Sequence, residues 1–177
     1  QQAERLARDG AILLEQAPGD NPLLLIATGS YQLAEMRRAA VRLSSAGCAW
    51  RLIYLQEPGR FRAPRDVWEA MAVVSADVLE ELLPAACGVR LVLSRTRRAV
   101  SRGLLWPILG DARWQRVLGY QNRGGTLDEA GMLFANRCSW AHVLQAATEL
   151  LQISPLQLLC REEGAAVCGE GDPLSRR

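Results

Sequence analysis

Short, wholly apolar runs alternate in this chain with longer segments whose apolar residues recur at helical spacing. The clearest run is 23–27, five apolar residues that lead through Thr-Gly-Ser into an amphipathic segment. A strand without polar positions is typical of a parallel sheet covered on both faces. Short connections between strands and helices favour β-α-β units. We therefore predict an α/β three-layer sandwich, with a mostly parallel sheet of about five strands and helices on both faces.

Turn signals and apolar spacing place the individual elements. Strands are predicted over 23–27, 49–55, 89–94 and 116–120. Helices are predicted over 3–15, 31–45, 65–83, 100–109, 129–151 (with a break favoured near Asn136) and 155–160. The chain is thus divided into an N-terminal helical extension at 1–21, an α/β domain at 22–152, and a C-terminal helix and tail at 153–177. The fold of the tail after Gly164 is left open.

The composition is that of a globular protein, with 49% hydrophobic and 23% charged residues among 177. A membrane-spanning helix needs about 20 apolar residues in succession, and the longest run here is 23–27, so no membrane contact is expected. The five Cys lack zinc-site spacing and no signal peptide is present, which favours reduced thiols and a cytoplasmic location. Because the first residue is Gln rather than Met, we expect a chain cut from something larger or processed at its start.

Positive charge is concentrated in one part of the chain. All 21 basic residues are Arg, and residues 90–123 carry a net charge of +7, whereas the whole chain carries +2. Such a stripe can meet phosphates, nucleic acid or an acidic partner. Nucleic acid is disfavoured, because the overall charge is low and few aromatic residues lie among these arginines.

Two groups of arginines follow predicted strands. Arg95, Arg97 and Arg98 come after the strand 89–94, and Arg60 and Arg62 come after the strand 49–55. The carboxyl edge of a parallel sheet is where α/β proteins usually bind ligands, and guanidinium groups suit phosphate and carboxylate. These residues are candidates for an anion clamp or a partner interface. The alternative is a solvated face with ordinary ion pairs.

A second anion candidate lies at the end of the first apolar strand. Thr28, Gly29 and Ser30 connect that strand to the following helix. Backbone amides at such a helix N-terminus can bind a phosphate. Simple capping of the helix by a hydroxyl side chain is the alternative interpretation.

The chain has few groups suited to catalysis. His142 is its only His and lies on a segment rich in Ala and Leu, so a packed or surface role is favoured over a catalytic one. The sequence contains no Walker phosphate loop and no GxSxG nucleophile motif. We predict no catalytic residue and no metal site, and a stand-alone enzyme is the least favoured class.

Two sequence stretches resemble a known family. The first consists of the sequence Ala-Thr-Gly-Ser at 27–30 together with the turn Glu-Pro-Gly-Arg-Phe-Arg at 57–62. The second covers residues 118–128 and 131–136. Over about residues 22–151 the chain resembles the C-terminal domain of transketolase-like thiamine-diphosphate enzymes, with phosphoketolase nearest. The positions that carry the second motif are Gly119, Tyr120, Gly124, Gly125, Thr126 and Asp128.

The resemblance implies a division of labour within a larger enzyme that acts on ketose phosphates. Thiamine diphosphate and magnesium would lie in other domains, and this chain would bind no cofactor alone. It would supply packing, homodimer contacts and the outer wall of a substrate channel for a sugar phosphate. The alternative is a stand-alone α/β module that binds a phosphorylated ligand or nucleotide through the Thr28 and Arg95 segments.

Overall fold

A computed structural model describes residues 1–170 and shows one five-stranded sheet with the strand order β1-β3-β2-β4-β5. Strand β1 is antiparallel to β3, and the other neighbouring pairs are parallel. The strands are β1 (Ala11–Ala17), β2 (Leu23–Thr28), β3 (Trp50–Leu55), β4 (Arg90–Ser94) and β5 (Gln115–Gly119).

Helices cover the sheet and connect its strands. They are α1 (Gln2–Asp9), α2 (Ser30–Ser45), α3 (Val67–Ala70), α4 (Ala76–Leu82), α5 (Arg98–Leu109), α6 (Glu129–Ala135), α7 (Trp140–Leu151) and α8 (Arg161–Cys168). Single 3₁₀ turns occur at Pro58–Phe61, Ala112–Trp114 and Pro155–Gln157.

The central strand β2 divides the core into two layers. All six of its residues are buried, as the apolar run predicted. Leu23 and Leu25 pack in one cluster with residues of α2 and α7, whereas Leu24 and Ile26 pack in a second cluster with residues of α5. Successive side chains of a strand point to opposite faces. The predicted three-layer α/β architecture is therefore confirmed.

The predicted helix over 3–15 is wrong beyond Asp9. Gly10 ends α1 with a left-handed φ of 72°, a conformation that glycine adopts without steric cost. Residues 11–17 then form β1, which pairs with the exposed edge of β3. The N-terminal segment is thus part of the sheet rather than a purely helical extension, because an open strand edge offers unpaired backbone groups.

The predicted helix over 65–83 is two short helices. The carboxylate of Asp66 accepts hydrogen bonds from the Trp68 and Glu69 amides and starts α3. The Ser75 hydroxyl starts α4. Between them the Val74 amide donates to the carbonyl of Arg60, and this tertiary hydrogen bond replaces a helical one.

The C-terminal part also differs from expectation. The helix predicted over 155–160 is a 3₁₀ turn, and α8 follows it. Leu158 and Leu159 are buried in the core layer of α7, so this segment docks on the domain. The break expected near Asn136 is confirmed, since it separates α6 from α7. Residues 171–177 of the predicted tail lie outside the described part of the chain.

A buried carboxylate joins the two helices of one layer. Glu35 of α2 accepts a 2.6 Å hydrogen bond from the Trp140 amide at the start of α7, and a 2.9 Å hydrogen bond from Arg38. Arg38 and Arg42 each lie 5.4 Å from the centre of the Trp140 ring. Glu35 therefore caps α7 from a different helix, since no side chain of α7's own N-cap does so.

We predict that Glu35→Ala lowers the free energy of unfolding by about 2–3 kcal/mol, because it leaves a buried amide and Arg38 unpaired. Glu35→Gln should lose less, since its amide oxygen still accepts from Trp140. Glu15→Ala, which removes the exposed ion pair with Arg37, is the control and should cost under about 1 kcal/mol. Urea denaturation measures all three, and equal losses for Glu35→Ala and Glu15→Ala would contradict the assignment.

Candidate binding site at the carboxyl edge of the sheet

The order in which strands are added to the sheet reverses at β2, and this switch point between the parallel strands β2 and β4 creates the candidate site. From β2 the chain crosses to β3 on one side, while β4 lies on the other side. Thr28 and Ser94 are paired at the carboxyl ends of these strands. Loops that leave two such strands in opposite directions open a crevice, where ligands of α/β proteins bind.

A network of hydroxyl groups holds this end of the two strands together. The Thr28 hydroxyl lies 3.1 Å from Ser94 Oγ, and the Ser101 hydroxyl lies 2.7 Å from the same oxygen. The Arg95 amide donates to the Thr28 carbonyl at 3.2 Å. Thr28, Ser94 and Ser101 are all buried. Thr28, a predicted anion ligand, is thus engaged within the protein, and its role is to fix the turn that presents Arg95.

The N-terminus of α2 opens into the crevice without a side-chain cap. Gly29 is the N-cap, with a φ of 105°, and a Cβ there would lie 2.5 Å from Gln32 Oε1. The first amides of a helix have no partner within the helix. The capping interpretation of this turn is therefore wrong for α2, because Ser30 is the first helical residue rather than its cap.

A cavity of about 570 Å³ occupies the crevice. Arg95 and Glu129 bring opposite charges to its lining from different elements, and Gln32 and Tyr120 bring an amide and a phenol. Within residues 1–170 no ion pair joins Arg95 or Glu129 to another side chain. The complete lining is Gly29, Ser30, Tyr31, Gln32, Arg95, Tyr120, Leu127, Glu129, Met132 and Leu133.

The other predicted arginines are not brought to this cavity. Arg97 is exposed at the start of α5, and Arg98 lines a separate, smaller depression beside Gly119. Arg60 donates to the carbonyl of Arg8 at 2.5 Å. Arg62 donates to a backbone carbonyl at 2.6 Å and pairs with Glu69 at 3.4 Å. Arg60 and Arg62 thus stabilise local structure.

The loop after β5 carries the second predicted motif and forms one wall of the cavity. Gly119 is required where β5 ends, because a Cβ would lie 2.6 Å from the Arg98 amide nitrogen and from the Thr96 carbonyl oxygen. Tyr120 follows it and lines the cavity. Asp128 caps α6 by accepting a hydrogen bond from the Gly131 amide.

The remaining motif residues have different positions. Gly124 adopts a φ of 119° beside Met132, which only glycine tolerates well. Gly125 and Thr126 are exposed, and neither belongs to the cavity lining.

Asn136 organises this loop and was not among the predicted site residues. Its Oδ1 accepts from the amides of Gln121 and Arg123, and its Nδ2 donates to the carbonyls of Arg123 and Met132. The side chain is fully buried. A single amide side chain thus fixes a loop that has no regular structure. The sequence signal was weak, since it consisted only of a polar residue at a helix break.

Gln32 and Glu129 were also missed as lining residues. Both lie in the first turn of a helix that follows a loop at the sheet edge. The first turns after such strands are where ligand-facing side chains collect, so position in the predicted topology was the available signal.

His142 and Cys138 do not line the cavity. His142 is buried, its Nδ1 is 2.7 Å from the Ser139 hydroxyl, and its ring meets Phe134 edge-on. Burial, aided by the charge of Arg137, lowers the pKa of His142 to about 4. Burial raises the pKa of Cys138 to about 12. The expected packed role of His142 is confirmed.

Residues 1–170 bring together no group of three His, Cys, Asp or Glu side chains that would suit a metal ion. Among the same residues no helix has the length and apolar character needed to cross a membrane.

Solved structures share this fold, although the sequence matches no protein-family model and no curated protein. Transketolase from Leishmania mexicana superposes on 84% of this chain with a TM-score of 0.58 and 16% sequence identity. Transketolase from Campylobacter jejuni subsp. jejuni superposes on 82% with a TM-score of 0.52 and 15% identity. The expected fold, like that of the transketolase C-terminal domain, is confirmed.

The likeness extends to the fold alone, because the sequence identity is low. This chain spans only 19% of the length of each of those two transketolase chains. A nearer relation to phosphoketolase stays a prediction.

We predict that Gly119→Ala destabilises the protein by about 2–3 kcal/mol, because its Cβ would collide with backbone atoms that cannot move aside. Gly125→Ala is the matched control, from the loop that follows β5. A Cβ at Gly125 meets nothing within 4 Å, so its effect should stay within about 0.5 kcal/mol. Chemical denaturation compares the two variants, and similar midpoints would refute the close approach.

We predict an acid-sensitive stability that depends on His142. Its folded pKa of about 4 lies below its ordinary value of 6.5, so between these values protons bind preferentially to the unfolded chain. Stability is therefore complete above pH 6.5 and falls as the pH decreases, by about 2 kcal/mol at pH 5. Denaturation from pH 7.5 to 5 measures this slope. His142→Leu should flatten it, and an unchanged slope would contradict the prediction.

Proposed function

We propose that this chain acts as the C-terminal, non-cofactor-binding domain of a transketolase-like enzyme that acts on ketose phosphates. The observation that carries the proposal is the fold, which the chain shares over 84% of its length with a transketolase of which it spans 19%. The whole enzyme would transfer or cleave a two-carbon ketol unit. Thiamine diphosphate would supply the carbanion chemistry.

Under this proposal the cofactor and magnesium are bound by other domains of the parent enzyme. This chain would contribute no ligand to either group. Its own residues would pack against those domains, contribute to a homodimer and form the outer wall of the substrate channel. Of the two activities that we propose, transketolase and phosphoketolase, the motif from Gly119 to Asp128 favours phosphoketolase.

Exposed apolar side chains support an interface role. Val67, Trp68 and Met71 lie within one turn at α3 and are each exposed by more than 70%. Trp106 of α5 is exposed by 64%. Large apolar side chains clustered on a surface mark sites of protein contact. We call Val67, Trp68 and Met71 the α3 patch.

The proposal is tested on the native polypeptide in its own cells. An antibody against this chain should capture a polypeptide several times heavier than 19.5 kDa, or a complex with separate cofactor-binding subunits. The captured material should convert a ketose phosphate only when thiamine diphosphate and magnesium are present. A phosphate requirement would assign phosphoketolase, and an aldose-acceptor requirement would assign transketolase. Captured material that neither binds thiamine diphosphate nor turns over ketose phosphates would refute the proposal.

We predict that Trp68→Ser weakens this assembly by at least tenfold, since an exposed Trp at an interface often dominates its binding energy. The fold should be unaffected, because Trp68 is 74% exposed. Val41→Ser, at another exposed apolar position (66%), is the matched control and should leave assembly unchanged. Sedimentation of the purified complex measures both variants. Equal behaviour of the two would exclude the α3 patch from the interface.

A further inference from the structure

We propose that the cavity at the switch point between β2 and β4 binds a nucleoside monophosphate, with its phosphate at the start of α2 and its ribose and base toward α6. The site is built entirely from residues of this chain, so the inference does not depend on the proposed function. It adds a ligand to a domain to which we otherwise assign packing and assembly.

The phosphate end is defined by three features of the crevice. The first amides of α2 lack a side-chain cap, and the helix is 16 residues long, so its N-terminus carries a substantial positive partial charge. Arg95 lines the same space, and no ion pair within residues 1–170 neutralises it. A phosphate there would accept hydrogen bonds from the helix amides and from a guanidinium group, which are the donors that bind it best.

A buried polar side chain at this end gives independent evidence of a ligand. Gln32 is only 4% exposed and lines the cavity, yet its amide forms no hydrogen bond with any other residue in the described part of the chain. Its Oε1 lies beside Gly29, at the start of α2. The amide atoms of Gln32 are not fully enclosed by protein, so they are reached from the cavity that the residue lines. A ligand oxygen in the cavity could accept a hydrogen bond from Gln32 Nε2.

The opposite wall has the chemistry of a nucleoside site. Glu129, at the start of α6, lines the cavity without an ion-pair partner in residues 1–170, and a carboxylate accepts hydrogen bonds from ribose hydroxyls. Leu127 and Met132 supply apolar surface, and Tyr31 and Tyr120 supply rings against which a planar base can pack. A simple sugar phosphate would leave this apolar wall unused.

The size of the cavity agrees with a ligand of this class. Its volume of about 570 Å³ falls within the range of roughly 300–1,000 Å³ that is typical of small-molecule sites. The mixture of one basic end, one carboxylate and an apolar wall selects a ligand with a phosphate, vicinal hydroxyls and a planar group.

The test is calorimetric titration of the 177-residue chain with adenosine 5′-monophosphate. Adenosine, ribose 5-phosphate and inorganic phosphate serve as part-ligands. We expect the nucleotide to bind at least tenfold more tightly than any of them. No saturable heat with the nucleotide at about 5 mM, a concentration that would reveal even weak specific binding, would overturn the proposal. Ribose 5-phosphate binding as tightly as the nucleotide would overturn the nucleoside assignment.

Two arginine variants locate the phosphate. Arg95→Gln should weaken nucleotide binding by at least tenfold, because it removes a charged donor. Arg97→Gln makes the same change at an exposed neighbour outside the cavity and should change the affinity by less than twofold. Both side chains are exposed, so both variants should fold, and thermal unfolding checks this first. Equal effects of the two variants would refute the site.

A second pair of ligands tests the carboxylate. The wild-type chain should prefer adenosine 5′-monophosphate over its 2′,3′-dideoxy form by about fivefold or more, since Glu129 would accept hydrogen bonds from the ribose hydroxyls. Glu129→Gln should reduce that preference while retaining affinity for inorganic phosphate. A wild-type protein without the preference would overturn the role of Glu129.

Discussion

Burial of a parallel sheet on both faces is the constraint on which the rest of this structure depends. Strand β2 has no exposed residue, and its alternate side chains enter two separate core layers. Helices must therefore cover both faces, and the crossings that carry them leave the sheet at its carboxyl edge. The candidate cavity is a consequence of this geometry, because it opens where the crossings from β2 and β4 part.

Buried polar side chains fix the positions of loops and helices that apolar packing alone does not determine. Glu35 connects α2 to the first turn of α7. Asn136 holds the loop after β5 with three hydrogen bonds and joins it to α6 with a fourth. Ser94 Oγ accepts from the hydroxyl groups of Thr28 and Ser101. The hydrogen bonds of these side chains are directional, and leaving a buried polar group without a partner costs free energy. These three residues therefore specify loop and helix positions that hydrophobic contacts alone would allow to vary.

Prediction from the sequence succeeded for strands and helices whose signal lies within their own residues. The strand at 23–27 and the helix at 31–45 were placed within one residue of β2 and α2, because uniform burial and helical periodicity are local signals. The helix predicted at 3–15 is wrong beyond Asp9, since Ala11–Ala17 joins the edge of β3, a distant strand. At the candidate site Gly29, Ser30, Arg95 and Tyr120 were anticipated. Gln32 and Glu129 were not, because their proximity depends on how α2 and α6 pack.

The sequence by itself determined the α/β class, the central strands and the turn at Thr28–Ser30, because these depend on apolar periodicity and on residues with special backbone preferences. Only the tertiary structure decided which of the predicted arginines line the cavity. Arg95 lines the cavity, whereas Arg60 and Arg62 are held by Arg8 and Glu69. Charge along a sequence shows which groups are present. The distance between two of them in space is set by strand order and by the long-range hydrogen bonds that fix each loop.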